Sequence, residues 1–172
     1  MQKLMGLMRR CIEDYHMIEE GDRIAVGVSG GKDSLSLLQL LSAIRAYYPR
    51  RFTLEAFTVN LGLPGMDYGP VAAFCRSLQI PYTELQTEIG PIIFEHRKEK
   101  NPCSMCAKMR RGALHAALLE RDIHKVALGH HFDDAVETFL MSLLFEGRIS
   151  CFQPVTYLDR TQMVQIRPML YL

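Results

Sequence analysis

The residues with the clearest chemical potential stand in one run, Ser29-Gly30-Gly31-Lys32-Asp33-Ser34. Two glycines let the backbone curl so that successive N–H groups converge on an anion, and a helix starting near Asp33 adds the positive end of its dipole. Lys32 brings a full charge, Ser29 and Ser34 bring hydroxyl donors, and Asp33 can hold a magnesium ion or cap the helix. The combination suits a phosphate group. It is not a Walker A loop, which needs four residues between its first glycine and the Gly-Lys pair, and it is not the G-x-G-x-x-G dinucleotide pattern.

Two further constellations carry chemistry. Cys103 and Cys106 form a C-x-x-C pair where a helix is expected to start, close to Lys100, Lys108, Arg110 and Arg111, and both the helix end and the cations favour thiolate. Two soft ligands are too few for a closed zinc site or a cubane cluster. Their spacing therefore leaves three readings open: two ligands of an iron–sulfur cluster, a redox or persulfide-carrying dithiol, or two unrelated core cysteines, with zinc a lesser fourth. Gly129-His130-His131-Phe132-Asp133-Asp134 sets two imidazoles and two carboxylates at the end of an expected strand. Asp133 is placed to cap the next helix, and adjacent Asp133 and Asp134 can coordinate magnesium on nucleotide phosphates while a neutral imidazole can contact phosphate or ribose.

These groups need a scaffold, and hydrophobic periodicity supplies one. Leu4, Met5, Met8, Cys11, Ile12 and Tyr15 recur at helical spacing. Arg23 to Val28 is a short apolar run bounded by glycine, expected to be a buried strand, and Leu35 to Ile44 is a helix apolar around much of its circumference. Alternation continues with a strand from Thr53 to Asn60, a helix near Tyr68 to Gln79, and a strand from Tyr82 to Leu85. A helix from Ser104 to Arg121, a strand from Lys125 to Gly129 and a helix from Asp133 to Phe145 complete it. Strand and helix in turn predict an α/β, doubly wound, mostly parallel sheet with helices on both faces. Both glycine turns then lie at strand carboxyl ends, where ligands of such sheets bind.

At 172 residues, 48% hydrophobic and 23% charged, the chain reads as one domain over 1–172 with residues 1–20 forming a helix packed upon it. A net charge of +1 gives no global attraction to polyanions, so any contact with nucleic acid falls to local patches such as Lys98, Lys100, Lys108, Arg110 and Arg111. No apolar run is long enough to span a membrane, and five irregularly spaced cysteines suit a reducing, cytoplasmic setting.

A strand followed by SGGKDS resembles the PP-loop signature of the N-type ATP pyrophosphatases, the adenine nucleotide α-hydrolase-like fold. With PCSMCAKMRRGAL, GHHFDDAVETFL and IRPML in that order, and Asn60 with Pro64-Gly65 after the second strand, the chain resembles the bacterial tRNA 2-thiocytidine synthetases over nearly its whole length. The resemblance implies an enzyme that adenylates C2 of an anticodon-loop cytidine and replaces its oxygen with sulfur. It implies ATP on Ser29 to Ser34, Asn60, Gly129, His130 and Asp134, magnesium near Asp33, Asp133 or Asp134, and catalytic roles for Cys103, Cys106, Lys32 and Asp33. It further implies a [4Fe-4S] cluster held by Cys103, Cys106 and a third cysteine, with tRNA, a sulfur donor (a cysteine desulfurase or sulfide) and a homodimer as partners. Two departures stand out: Phe132 occupies a position usually held by Arg, and the family's third cysteine lies beyond the segment matching IRPML. The sequence therefore reads as a form shortened at its C-terminal side. Related PP-loop amide or amine ligases, such as lysidine and NAD synthetases, and a non-catalytic nucleotide- or cluster-binding module are the alternatives.

Overall fold

The computed structural model describes residues 1–97 and 102–172, with the side chains of 95–97 left out of account. Lys98 and Lys100 of the expected basic patch lie outside the described residues. The order of elements is α1 (Gln2–Asp14), β1 (Asp22–Gly27), α2 (Lys32–Arg45), β2 (Phe52–Asn60), α3 (Gly69–Ser77), β3 (Tyr82–Gln86), the short α4 (Ile89–Pro91) with a π-helical turn over Ile92–Arg97, α5 (Pro102–Leu119), β4 (Lys125–Ala127), α6 (Phe132–Glu146), β5 (Val155–Leu158) and β6 (Met163–Ile166).

Six strands form one sheet in the order β3-β2-β1-β4-β6-β5, parallel except for the antiparallel β5–β6 pair. The expected doubly wound, mostly parallel sheet is borne out. The β5–β6 hairpin was not anticipated, because its strands are only four residues each and too short to show a period.

The alternation in β1 explains why the sheet is covered on both sides. Ile24 and Val26 join the larger core with Met8, Cys11 and Ile12 of α1, Leu37, Leu38, Leu41 and Ile44 of α2, and Val71 and Cys75 of α3. Ala25, between them, faces the opposite layer with Phe57, Val126, and Leu114 and Leu118 of α5. A strand buried on both faces needs an unbroken apolar run, which is what Ile24-Ala25-Val26 provides. Cys11 and Cys75 are fully buried, Cys11 on the apolar stripe of α1.

β1 and β4 are neighbours, and the chain leaves β1 toward β2 on one side and β4 toward β6 on the other. That reversal is the topological switch point, where the loops after the two strands part and open a crevice. Ser29 to Ser34 follows β1 and Gly129 to Asp134 follows β4, so the sheet delivers both turns to it. Among described helices none is long and apolar enough to cross a membrane.

Candidate functional site

The phosphate loop is preformed by its own hydrogen bonds. Gly30 has φ +84°, a conformation that side chains other than glycine's adopt at a cost, and Gly31 is the N-cap of α2. Ser34, buried at the first turn, donates through Oγ to the Gly31 carbonyl at 2.9 Å and accepts from the Ser29 amide at 3.2 Å, with the Ser29 hydroxyl 3.3 Å away. Thr58 of β2 donates to the Val28 carbonyl at 2.6 Å and pins the strand just before the loop. The Lys32 ammonium lies 2.7 Å from Asp33 Oδ1, which lowers the carboxyl's pKa and raises the ammonium's; with the side chain 83% exposed, Lys32 is available to an incoming anion.

The second turn meets the first at close range. A Cβ on Gly129 would stand 3.2 Å from the Asp33 carbonyl and the Ser34 amide nitrogen, so glycine there is a condition for the two turns to approach. His131 lies between the carboxylates, with Nε2 3.9 Å from Asp33 Oδ1 and Nδ1 3.7 Å from Asp134 Oδ2. His131, not Asp133, is the N-cap of α6, and Asp134 closes a capping box by accepting from the His131 amide at 2.8 Å. The helix starts one residue earlier than expected because His131 bridges to Met169 and the Phe132 amide donates to the Leu172 carbonyl. Asp133 is left exposed in the first turn, and Phe132 is 57% exposed.

His130 turns inward. Its Nδ1 is buried without a partner among the described residues, its ring sits 5.1 Å from that of Phe152, and burial, with Arg167 nearby, pushes its pKa down, so it is a neutral imidazole. Asn60 stands at the carboxyl end of β2, where it donates to Glu84 at 2.6 Å and accepts from the Gly62 amide at 2.9 Å. Those bonds occupy its side chain in shaping the turn after β2.

Between the strand ends and α5 lies a cavity of about 390 Å³ that includes Val28, Ser29 and His130 in its wall. The opposite wall is α5, through Ala107, Arg110, Arg111, Leu114 and His115. Cys103 and Cys106 precede these residues on the same helix, three apart and so on one side of it. Cys103 is exposed; Cys106 is buried in a small cluster with Ile89 and Ile93. No group of three or more His, Cys, Asp or Glu residues forms a metal cage among the described residues. The dithiol thus has no third thiolate there: Cys11 and Cys75 are in the core, and Cys151 bonds to the Ala135 carbonyl on α6. Asp33, Asp133 and Asp134 likewise make no three-carboxylate cluster.

Two residues of this site went unremarked in the sequence, His115 and Gln165. Each was visible as a polar side chain in an apolar setting, His115 between Leu114 and Leu118 and Gln165 in Met163-Val164-Gln165-Ile166.

Residues 4–172 match the family model of the PP-loop domain. The chain belongs to the PP-loop family. Within it the chain groups with the tRNA-cytidine(32) 2-sulfurtransferases, as its motifs suggested. It is 38% identical over 175 residues to the one from Coxiella burnetii (strain Dugway 5J108-111), covering 99% of this chain and 67% of that protein. It is 40% identical over 171 residues to that from Syntrophotalea carbinolica, covering 99% and 66%. The chain thus spans about two thirds of the length of these curated relatives. Among solved structures, a U34-tRNA thiolase from Methanococcus maripaludis with its [4Fe-4S] cluster has the same fold, at TM-score 0.73 and 24% identity over 95% of this chain and 57% of that one. An ammonia-dependent NAD synthetase from Campylobacter jejuni superposes at TM-score 0.56 and 15% identity, over 98% of this chain and 66% of that one. The PP-loop family is an ATP-using one.

Proposed function

We infer that this PP-loop chain is the ATP-using core of a tRNA sulfurtransferase acting on an anticodon-loop cytidine. The observation that carries the reading is that Ser29 of the phosphate loop and α5, the helix bearing Cys103 and Cys106, border one cavity. The 2-sulfurtransferase names of relatives matching 99% of the chain support the same substrate.

ATP binds with its phosphates on the amides of Gly30 to Ser34 and its negative charge met by Lys32 and the N-terminus of α2. The C2 oxygen of the cytidine attacks the α-phosphorus, and pyrophosphate leaves into the loop that binds it. Charge building on the departing pyrophosphate is what Lys32 stabilises. Sulfide then adds at C2, and AMP departs carrying the former C2 oxygen. Magnesium fits as an ion held by one or two of Asp33, Asp133 and Asp134 together with phosphate oxygens, the usual arrangement for that ion, and needs no all-protein cage. Cys103 and Cys106 suit two corners of an iron–sulfur cluster, and further ligands come from outside the described residues. When bound, such a cluster would carry the sulfur that the donor delivers to the site. Arg110 and Arg111, exposed at the cavity mouth beside Lys108, give the RNA backbone a cationic track.

The outer side of α6 supports a homodimer. Leu140, Met141, Leu144 and Phe145 are 45%, 60%, 73% and 82% exposed, and a contiguous apolar face of this kind marks an interface; a second copy offers the same face. The sulfur donor is sulfide or a cysteine desulfurase, and the setting is the cytoplasm, where tRNA is modified.

The test is to reconstitute the protein anaerobically with iron and sulfide, incubate it with unmodified tRNA, ATP and magnesium, and analyse the nucleosides by mass spectrometry. The expected product is 2-thiocytidine, lost in Cys103→Ser and Cys106→Ser. Absence of any thiolated base from folded, cluster-loaded protein rejects the reading. ATP–pyrophosphate exchange with an amine acceptor that survives both substitutions moves the chain to the PP-loop ligases.

A further inference from the structure

His115 and Gln165 are 5% and 6% exposed, come from α5 and β6, and meet in the cavity wall with His115 Nε2 3.2 Å from Gln165 Nε2. Two nitrogens at that distance need one donor and one acceptor. Gln165 is oriented from its other end, where Oε1 accepts from Arg167 at 3.4 Å. Reversing the amide would turn its NH₂ toward a guanidinium that can only donate. Gln165 Nε2 is therefore the donor and His115 Nε2 the acceptor. A protonated ring has no lone pair to accept with, and burial, aided by Arg111, lowers the His115 pKa in the same sense. The remaining proton sits on Nδ1, the ring nitrogen that Gln165 does not engage.

Arg167 is a rigid support for this arrangement. Its guanidinium donates to the Gln153 carbonyl at 2.6 Å and to Thr156 at 2.9 Å and lies 5.0 Å from the Phe152 ring centre. Gln165 is thus held from a buried anchor, and His115 is held by Gln165.

The cavity calls for a flat, largely apolar ligand with a few polar edge atoms. Phe57, Val59, Leu61, Leu114 and Leu128 are among its walls, its volume is about 390 Å³, and Val28 and Ser29 join it to the phosphate loop. A nucleotide whose phosphates lie on that loop projects its base here. Adenine's ring nitrogens N1, N3 and N7 are all acceptors, whereas guanine carries a hydrogen at N1, and cytosine leaves more of the cavity unfilled.

We propose that His115, anchored by Gln165, is the residue that selects adenine, by presenting its Nδ1–H to N1 of the base, the ring nitrogen that accepts in adenine and carries a hydrogen in guanine. The proposal rests on the reading above that the phosphates occupy Ser29 to Ser34. His115 acts by touching the base, and Gln165 is its positioning residue.

Calorimetric titration of the full chain with ATP, GTP, cytidine monophosphate and tripolyphosphate tests this without any tRNA. Wild-type protein should bind ATP in preference to GTP. His115→Phe keeps the ring volume and removes the donor, so it should weaken ATP by about tenfold and leave tripolyphosphate unchanged. His115→Asn places an amide N–H near the Nδ1 position and should restore ATP to within about threefold of wild type. Gln165→Met, a replacement of similar shape, should weaken ATP in the same base-dependent way. It also serves if His115→Phe lacks a wild-type circular dichroism spectrum. Equal loss of ATP and tripolyphosphate overturns the proposal, since it marks a general disturbance of the loop. Unchanged ATP with weakened cytidine monophosphate overturns it too, by assigning the cavity to the RNA base. Wild-type indifference between ATP and GTP overturns it while leaving thiolation untouched. Failure to thiolate tRNA with ATP preference intact rejects the proposed function alone.

Discussion

At the amino end of the sheet, Lys125 opens β4 and reaches Asp22 at the start of β1 at 2.5 Å, with side chains only 13% and 17% exposed; Asp22 also accepts from the Glu19 amide at 2.7 Å. Beside them Arg23 donates to the Arg121 carbonyl at 3.0 Å and pairs with Glu55 at 3.2 Å. At the carboxyl end the charges are arranged otherwise. Among the described residues Lys32 pairs only with its neighbour Asp33 and is 83% exposed, and Asp33 and Asp134 are joined only loosely through His131. One end of the same six strands spends its charges on joining elements distant in sequence. The other holds them near one another, facing solvent, where a phosphate can take them over. The difference separates residues that keep the sheet together from residues that use it.

The largest effect should come from breaking the amino end. Lys125→Met removes the cation and leaves the Asp22 carboxylate half-buried with one amide donor, and removing one partner of a buried pair costs about 3–5 kcal/mol. For a domain of this size that corresponds to a fall in unfolding midpoint of roughly 10 °C, measurable by circular dichroism. ATP affinity of the folded protein should not change. A midpoint within about 2 °C of wild type would mean that the pair does not hold the strands.

The mirror experiment is Lys32→Ala. Its side chain is solvated, so the unfolding midpoint should stay at the wild-type value. Pyrophosphate release should slow by about 10²–10³, the usual loss when a group that stabilises developing charge is removed. If the variant instead loses stability and keeps its rate, the two ends of the sheet do not divide the work in this way.

The carboxyl end was the more legible of the two in the sequence. Ser29 to Ser34 and Gly129 to Asp134 are contiguous, and their chemistry follows from local backbone freedom and side-chain type. Asp22 and Lys125 are 103 positions apart, and nothing local to either marks them as partners. The same reasoning separates the cysteines. Cys11 fell on an apolar helical stripe and is buried, its thiol pushed up to about 11 by desolvation, whereas Cys103 was singled out by a short spacing and stands exposed. The wound sheet was readable because β1 is apolar on both faces. The β5–β6 hairpin and the Gln165–His115 contact were not, since four-residue strands carry too little pattern and a contact across 50 residues leaves no periodic trace. The capping role assigned to Asp133 failed by two positions, because long-range bonds from His131 and Phe132 to the C-terminal segment decide where α6 begins.

Acid should weaken the carboxyl end first, and this is the smallest of the expected effects. Burial depresses the pKa of both His115 and His130, with Arg111 and Arg167 acting in the same direction. The unfolded chain therefore binds protons more readily at these rings than the folded one. Their contribution to stability is fully present above the unfolded imidazole pKa of about 6.5 and is lost as pH falls toward the depressed folded values. Between pH 7 and pH 5 the unfolding midpoint should fall, and His115→Phe and His130→Phe should each flatten that fall because neither phenyl ring can take a proton. Lys125→Met should lower the whole curve, since it removes the Asp22 partner at every pH. An acid slope that both histidine variants retain would place the sensitivity elsewhere, and the carboxyl end would then owe its weakness in acid to something other than its buried imidazoles.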